Sequence, residues 1–172
     1  ENKFSTVSGY SNPRESNCDL FHLGHASTAL SLACGLVIGR DLNQTKENII
    51  ALIGDGALSG GEAFEALNHL ATLRSNCIVI INDNDQSIAE NHGGLYTHLK
   101  ELRGTNGTCT NNMFKALGFD YRYIEEGNSV LSLIAEFKSV INYPRPIILH
   151  IRTTKGFGYT AAEMAPEDFH NP

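Results

Sequence analysis

No stretch of this chain is apolar for long enough to cross a membrane, and no signal pattern opens it. A basic stripe is missing too. Thirteen lysines and arginines against 19 aspartates and glutamates leave a net charge of −6, so no nucleic acid and no membrane is expected as a partner. The four cysteines, Cys18, Cys34, Cys77 and Cys109, form no C-x-x-C pair. Cys34 and Cys77 lie in apolar stretches and read as core thiols, which fits a reduced, cytoplasmic compartment. Repeats and low-complexity tracts are also absent. What is present is a hydrophobic content of 41%, enough for one packed domain in 172 residues. The chain begins at Glu1 rather than Met, and residues 1–172 are read as a fragment or the ordered part of a longer chain.

The most informative stretch is Gly54-Asp55-Gly56, followed 29 positions after Asp55 by Asn84 in Asn82-Asp83-Asn84-Asp85. Each half ends an apolar, β-branched run: Ile49 to Ile53 before the first, Cys77 to Ile81 before the second. An amphipathic stretch from Ala63 to Leu73 lies between them. Two parallel strands joined by a crossover helix bring their C-terminal ends side by side. Asp55 and Asn84 would then meet at one sheet edge. A carboxylate and an amide oxygen are hard ligands suited to Mg²⁺ when a bound phosphate supplies the rest. Taken alone, Gly54-Asp55-Gly56 reads equally well as an ordinary βα turn whose aspartate caps a helix. The second half of the pattern favours a metal-bridged diphosphate site, and the crevice beyond strand C-termini is where such sheets bind ligands.

The rest of the chain alternates in the same way. The spacing predicts a helix over Ser27–Arg40, a strand over Asn48–Ile53, a helix over Gly61–Leu73 and a strand over Cys77–Asn82. A helix over Asn111–Leu117, a strand over Phe119–Ile124, a helix over Ser129–Ile141 and a strand over Pro146–Arg152 follow. This is an α/β pattern, a doubly wound parallel sheet with helices on both faces. Residues 1–24 are polar and irregular. Residues 86–109, with Gly93-Gly94, Gly104 and Gly107, read as a mobile loop. The join from Leu102 to Thr110 has no evident periodicity or apolar anchor.

Two further segments sit where ligands would. Gly24-His25-Ala26-Ser27-Thr28 opens a helix, although Ser27 or Thr28 there is sufficiently explained as an N-cap. Lys155-Gly156-Phe157-Gly158-Tyr159 follows the last strand, where a solvated lysine in a glycine turn is the plain alternative. His69 and His150 fall within a helix and a strand and read as structural. His170 lies in a polar tail. His22, His92 and His98 have no assigned role.

Together these segments resemble the thiamine-diphosphate enzymes of the transketolase type, and among them the 1-deoxy-D-xylulose-5-phosphate synthase family. The resemblance runs from Ser8 to Pro172. It rests on Ser8-Gly9-Tyr10 with Arg14-Glu15-Ser16, on Gly24 to Thr28, and on Gly54-Asp55-Gly56-Ala57 with Ala63 to His69. It continues through Asn82 to Ile88, Thr154 to Tyr159, Ala162-Glu163 and Phe169-His170. The Glu65-Ala66-Leu67-Asn68-His69 string and the Asn-Asp-Asn-Asp run favour the synthase over transketolase proper.

The resemblance implies thiamine diphosphate and Mg²⁺ as cofactors. It implies Asp55, Asn84 and the Gln86 backbone carbonyl as metal ligands, with Gly54, Gly56, Ala57, Ile88 and Lys155 around the cofactor. Gly24, His25 and Ala26 would lie near the aminopyrimidine ring, and His170, Lys155 and His25 would be catalytic. Pyruvate and D-glyceraldehyde 3-phosphate are the implied substrates of a decarboxylation and carboligation that feeds isoprenoid and thiamine precursors. A pyrimidine-binding domain, in the same or another chain, and a homodimer are the implied partners. In the family that domain follows the segment matched here and carries a glutamate that acts on the cofactor. The chain departs from the family pattern in three places. Gln86 stands where Met is usual, Ser59-Gly60-Gly61-Glu62 replaces Thr-Ala-Gly-Met, and the join between Leu102 and Thr110 is short. The alternatives are one subunit of a split transketolase using a ketose phosphate donor, and a non-catalytic cofactor-binding or interaction module.

Overall fold

The computed structural model describes residues 8–170. Four parallel strands form one sheet: β1 (Ile50–Gly54), β2 (Cys77–Asp83), β3 (Asp120–Ile124) and β4 (Pro146–Arg152), in the order β1-β2-β4-β3. The central strands β2 and β4 are rich in isoleucine and buried on both faces, as parallel strands covered by helices must be.

One face carries the larger core. Helix α1 (Ala29–Leu42) buries Leu30, Ala33, Cys34 and Val37, and α3 (Gly61–Leu73) buries Ala63, Ala66, Leu67 and Leu70. Both sets follow the i, i+3, i+4, i+7 stripe of an amphipathic helix. They pack on Ala51, Ile53, Val79, Ile81 and Ile148 of the sheet. The other face is covered by α6 (Val130–Ser139), with Leu133 and Val140 against Ile78, Ile147, Leu149 and Ile151. Helices therefore lie on both faces, as the alternation predicts. That second cover is partial, leaving Ile50 and Leu52 of the edge strand 58% and 63% exposed. No helix among the described residues is long and apolar enough to cross a membrane.

The expectation of a loop over residues 86–109 is corrected for its middle part, while residues 86–93 are irregular as expected. Gly94–Gly104 is a helix, α4, with Leu99 and Leu102 fully buried and Leu95 and Tyr96 packed on the same core. Leu95, Leu99 and Leu102 do follow helical spacing, but three glycines and a polar outer face mask it. The Leu102–Thr110 join has its apolar anchor in Leu102 itself. Two short helices complete the larger domain face and the tail. In α5 (Met113–Leu117) the side chain of Asn112 caps the amides of Phe114 and Lys115. The other, α7 (Thr160–Met164), was not expected from the sequence. A single-turn helix, α2 (Asp55–Leu58), replaces the expected glycine turn after β1.

If α4 is a docked part of the core, Leu102→Ala should cost about 2–5 kcal/mol, the usual range for emptying a buried leucine site. Denaturant unfolding measures this directly. A cost near zero would return the segment to a loose loop.

Candidate functional site

Strand register builds the site. Gly54 pairs with Asn82, and Asp83 pairs with Arg152, so β1, β2 and β4 end side by side. Asp55, Asn84 and Thr153–Lys155 leave the sheet at this common edge.

Asp55 begins α2 and is only 2% exposed. Its Oδ1 accepts the Gly56 amide at 2.9 Å and its Oδ2 accepts Asn91 Nδ2 at 3.1 Å. Burial, with the neighbouring Asp83 carboxylate adding to it, raises the Asp55 carboxyl to about 6. Asp83 goes the other way. Burial alone would raise it, but hydrogen bonds and charge from His150 and Arg103 outweigh that and hold it at about 2. One buried carboxylate is thus firmly ionised and the other resists ionising beside it.

The run after β2 is a pair of overlapping side-chain turns. Asp83 Oδ1 accepts the Asp85 amide, and Asn84 Oδ1 accepts the Gln86 amide, each at 3.1 Å. Asp85 takes a left-handed φ of 64°, a conformation aspartate tolerates better than most residues. Gln86 Oε1 is buried without a hydrogen-bond partner.

Several contacts tie the other sequence motifs to this edge. Ser27 Oγ donates to the Ala57 carbonyl at 2.7 Å, joining the Gly24–Ala26 turn to α2. Gly56 lies so close to Ser87 that a Cβ there would sit 2.7 Å from Ser87 Oγ. Lys155 Nζ donates to the Ser87 carbonyl at 2.5 Å. Gly24–Ala26, Gly54–Ala57, Asn84–Ile88 and Lys155 therefore share one rim. Gly24, His25, Ala26 and Ile88 are exposed there. His170 stands apart: its amide donates to the Glu167 carbonyl, and among the described residues no hydrogen bond reaches its ring.

Sequence reasoning missed Asn91, Asp83, Arg103 and Tyr121. Asp83 lay inside the quoted motif and could have been noticed, whereas Arg103 and Tyr121 come from distant elements with no local signal. His150 is buried in β4 as its strand position suggested.

The donor set suits a hard cation. It offers a buried carboxylate under pressure from a second one, an amide oxygen on the neighbouring strand end, and, at Gln86, a side-chain Oε1 with no hydrogen-bond partner. No group of three or more His, Cys, Asp or Glu side chains among the described residues could hold a metal by itself. Oxygens from a bound anion would have to complete the shell.

A family model described as 1-deoxy-D-xylulose-5-phosphate synthase matches residues 2–109. Curated proteins of that name are similar along nearly the whole chain. The one from Symbiobacterium thermophilum is 35% identical over 204 aligned positions, covering 98% of this chain and 32% of its own length. The one from Alkaliphilus oremlandii is 36% identical, with 98% and 33% covered. The one from Listeria monocytogenes serotype 4b is 40% identical over 164 positions, with 92% and 27% covered. The chain spans about a quarter to a third of the length of these relatives. An alignment of 204 positions against 172 residues means that the first relative carries extra residues within the matched stretch.

Proposed function

This chain belongs to the 1-deoxy-D-xylulose-5-phosphate synthase family, and we propose that it forms the part of such an enzyme that holds a thiamine diphosphate–Mg²⁺ pair by the diphosphate. The observation that carries the reading is the buried Asp55 carboxylate, raised to about 6, at the strand edge it shares with Asn84. A bound cation would remove the cost of ionising it.

Asp55, Asn84 and the Gln86 backbone carbonyl are the proposed metal ligands. Gly54, Gly56 and Ala57, where α2 leaves β1, are the proposed backbone contacts of the diphosphate. Lys155 contributes positive charge beside the same loop. Gly24, His25, Ala26 and Ile88 form the exposed part of the rim, where the rest of the cofactor would be held against a pyrimidine-binding domain. When bound, the cofactor supplies the electron sink that decarboxylation of a 2-oxo acid requires. His25 and His170 are proposed to move protons in that chemistry, the His170 role resting on family resemblance alone. The substrates proposed are pyruvate and D-glyceraldehyde 3-phosphate. The setting is a cytoplasmic homodimer in which the rim is covered and water is excluded.

Donor choice tests the reading. The full polypeptide carrying these residues should consume pyruvate only when D-glyceraldehyde 3-phosphate and Mg²⁺ are present, releasing carbon dioxide and a five-carbon ketose phosphate. Turnover of xylulose 5-phosphate with no use of pyruvate would make it a transketolase instead.

A further inference from the structure

Beneath the rim lies a buried polar chain that the proposed chemistry does not use. Asp83 and His150 are both completely buried. His150 Nε2 lies 2.7 Å from Asp83 Oδ2, and its Nδ1 lies 2.7 Å from the Tyr121 hydroxyl. An imidazole with its proton on Nε2 satisfies both contacts, donating to the carboxylate and accepting from the phenol. Arg103 Nη1 donates to both oxygens of Asp83, at 2.7 and 2.6 Å, and its Nη2 pairs with Asp85 at 2.6 Å. Four elements are thus joined in one chain: β2 supplies Asp83, α4 Arg103 and β4 His150 on its carboxylate, and β3 Tyr121 behind His150.

Such a chain is costly to build. A buried carboxylate and imidazole and a largely buried guanidinium must be desolvated, and apolar residues of similar shape would serve folding as well or better. Its position suggests another use. Asp83 immediately precedes Asn84, and its Oδ1 also accepts the Asp85 amide. Arg103 grips the two residues flanking Asn84, one of which is held at a left-handed φ. The turn that presents Asn84 and Gln86 is therefore clamped on both sides, from below and from α4. The Asp83 backbone carbonyl is fixed as well, accepting the Thr153 amide at 2.9 Å.

We propose that Asp83, oriented by His150 and Arg103, is a positioning residue that presets the Asn84–Gln86 turn for the metal, and that Tyr121 and α4 act through it. The inference rests on the metal-site reading given above. Outer partners of this kind orient the groups that touch a metal, and losing one typically weakens metal binding by about 10–100-fold.

Calorimetric titration of the full polypeptide with Mg²⁺, in the presence of thiamine diphosphate, tests this alongside thermal melting of the metal-free protein. Asp83→Asn should weaken Mg²⁺ by about 10–100-fold. Tyr121→Phe keeps the ring stacked on Phe114, whose centroid is 5.8 Å away, and removes only the hydroxyl. It should weaken Mg²⁺ several-fold in the same direction, with metal-free melting little changed. Arg103→Lys should retain more affinity than Arg103→Met. Variants that melt lower but bind Mg²⁺ as the wild type does would reduce the chain to a structural role and overturn the proposal. Should Asp83→Asn fail to fold, Tyr121→Phe and the Arg103 pair decide. A wild type with no Mg²⁺-dependent cofactor binding would overturn the metal-site reading and this inference together. Loss of binding in Asp55→Asn with none in Asp83→Asn would overturn this inference alone.

Discussion

Asp55→Asn is expected to stabilise the metal-free protein at pH 8 while removing Mg²⁺-dependent binding of thiamine diphosphate. The carboxyl of Asp55 is raised from 3.8 to about 6 by burial and by Asp83. One pH unit of difference in proton affinity is worth roughly 1.4 kcal/mol between the two protonation states. Ionising Asp55 in the folded chain therefore costs about 3 kcal/mol in the absence of a cation. Asparagine avoids that cost and keeps an oxygen for the Gly56 amide, but its own amide then faces Asn91 Nδ2. A net gain of about 1–3 kcal/mol is expected. The metal loses its one carboxylate ligand, so affinity should fall by more than the roughly 10–100-fold typical of outer partners.

The pH dependence gives this prediction its sign. A carboxyl whose folded pKa lies above its unfolded value binds its proton more tightly when folded. Its contribution favours folding at low pH and is lost as pH rises from about 4 to about 6. Wild type without metal should therefore lose stability across that window, and Asp55→Asn should not. Asp83, depressed to about 2, acts oppositely: its stabilisation is present above the unfolded value and is lost only as pH falls through about 2. Mg²⁺ should stabilise wild type most above pH 6, where it displaces no proton. Melting curves at pH 5 and pH 8, with and without Mg²⁺, separate these contributions. An Asp55→Asn variant that melts lower at pH 8 and still binds Mg²⁺ would remove Asp55 from the site.

The parallel sheet and its ligand edge were legible because they depend on local patterns. The isoleucine runs of β1, β2 and β4, bounded by Gly54, Asn82 and Arg152, fix which ends meet. The buried stripes of α1 and α3 repeat at helical spacing. Helix boundaries drifted where a side chain overrode the pattern: Ser27 takes a positive φ of 72° to reach Ala57, so α1 begins at Ala29 rather than Ser27. Helix α4 was hidden because glycine reads as a breaker, yet Gly94 and Gly104 lie at its two ends, where they cost little. The clamp on Asp83 was illegible for a different reason. His150, Tyr121 and Arg103 are 67, 38 and 20 positions from Asp83, and only the β2-β4-β3 order and the docking of α4 bring them together. Polar contacts at long sequence separation leave no periodic trace. His170 is the reverse case: the resemblance gave it a role, and among the described residues no hydrogen bond reaches its ring.

Gly60→Ala should damage the rim without touching any proposed ligand. Gly60 has an ordinary extended backbone, φ −68° and ψ 142°, so the substitution carries no backbone strain of its own. The obstacle is space. A Cβ at Gly60 would lie 2.2 Å from Ser27 Oγ and 2.6 Å from Ser27 Cβ. The hydroxyl could rotate away, but the Cβ is fixed to a backbone already at positive φ, so the Gly24–Ser27 turn itself must move. That breaks the Ser27–Ala57 bond and pulls Gly24, His25 and Ala26 away from Gly54–Ala57. Overpacking of this kind typically costs about 1–3 kcal/mol. Felt in the bound state, the same strain weakens binding about tenfold per 1.4 kcal/mol. Equilibrium unfolding and cofactor titration of the full polypeptide measure the two effects. Ser27→Gly in the same chain removes both crowded atoms, and glycine accepts a φ of 72° without penalty. The double variant should regain most of the stability lost in Gly60→Ala, short only of the hydrogen bond to Ala57, worth about 0.5–1.5 kcal/mol. Cofactor affinity should recover in parallel, because the turn can settle back against α2. A double variant no more stable than Gly60→Ala would mean that Ser27 is not the obstacle, and that the rim is not assembled by this contact.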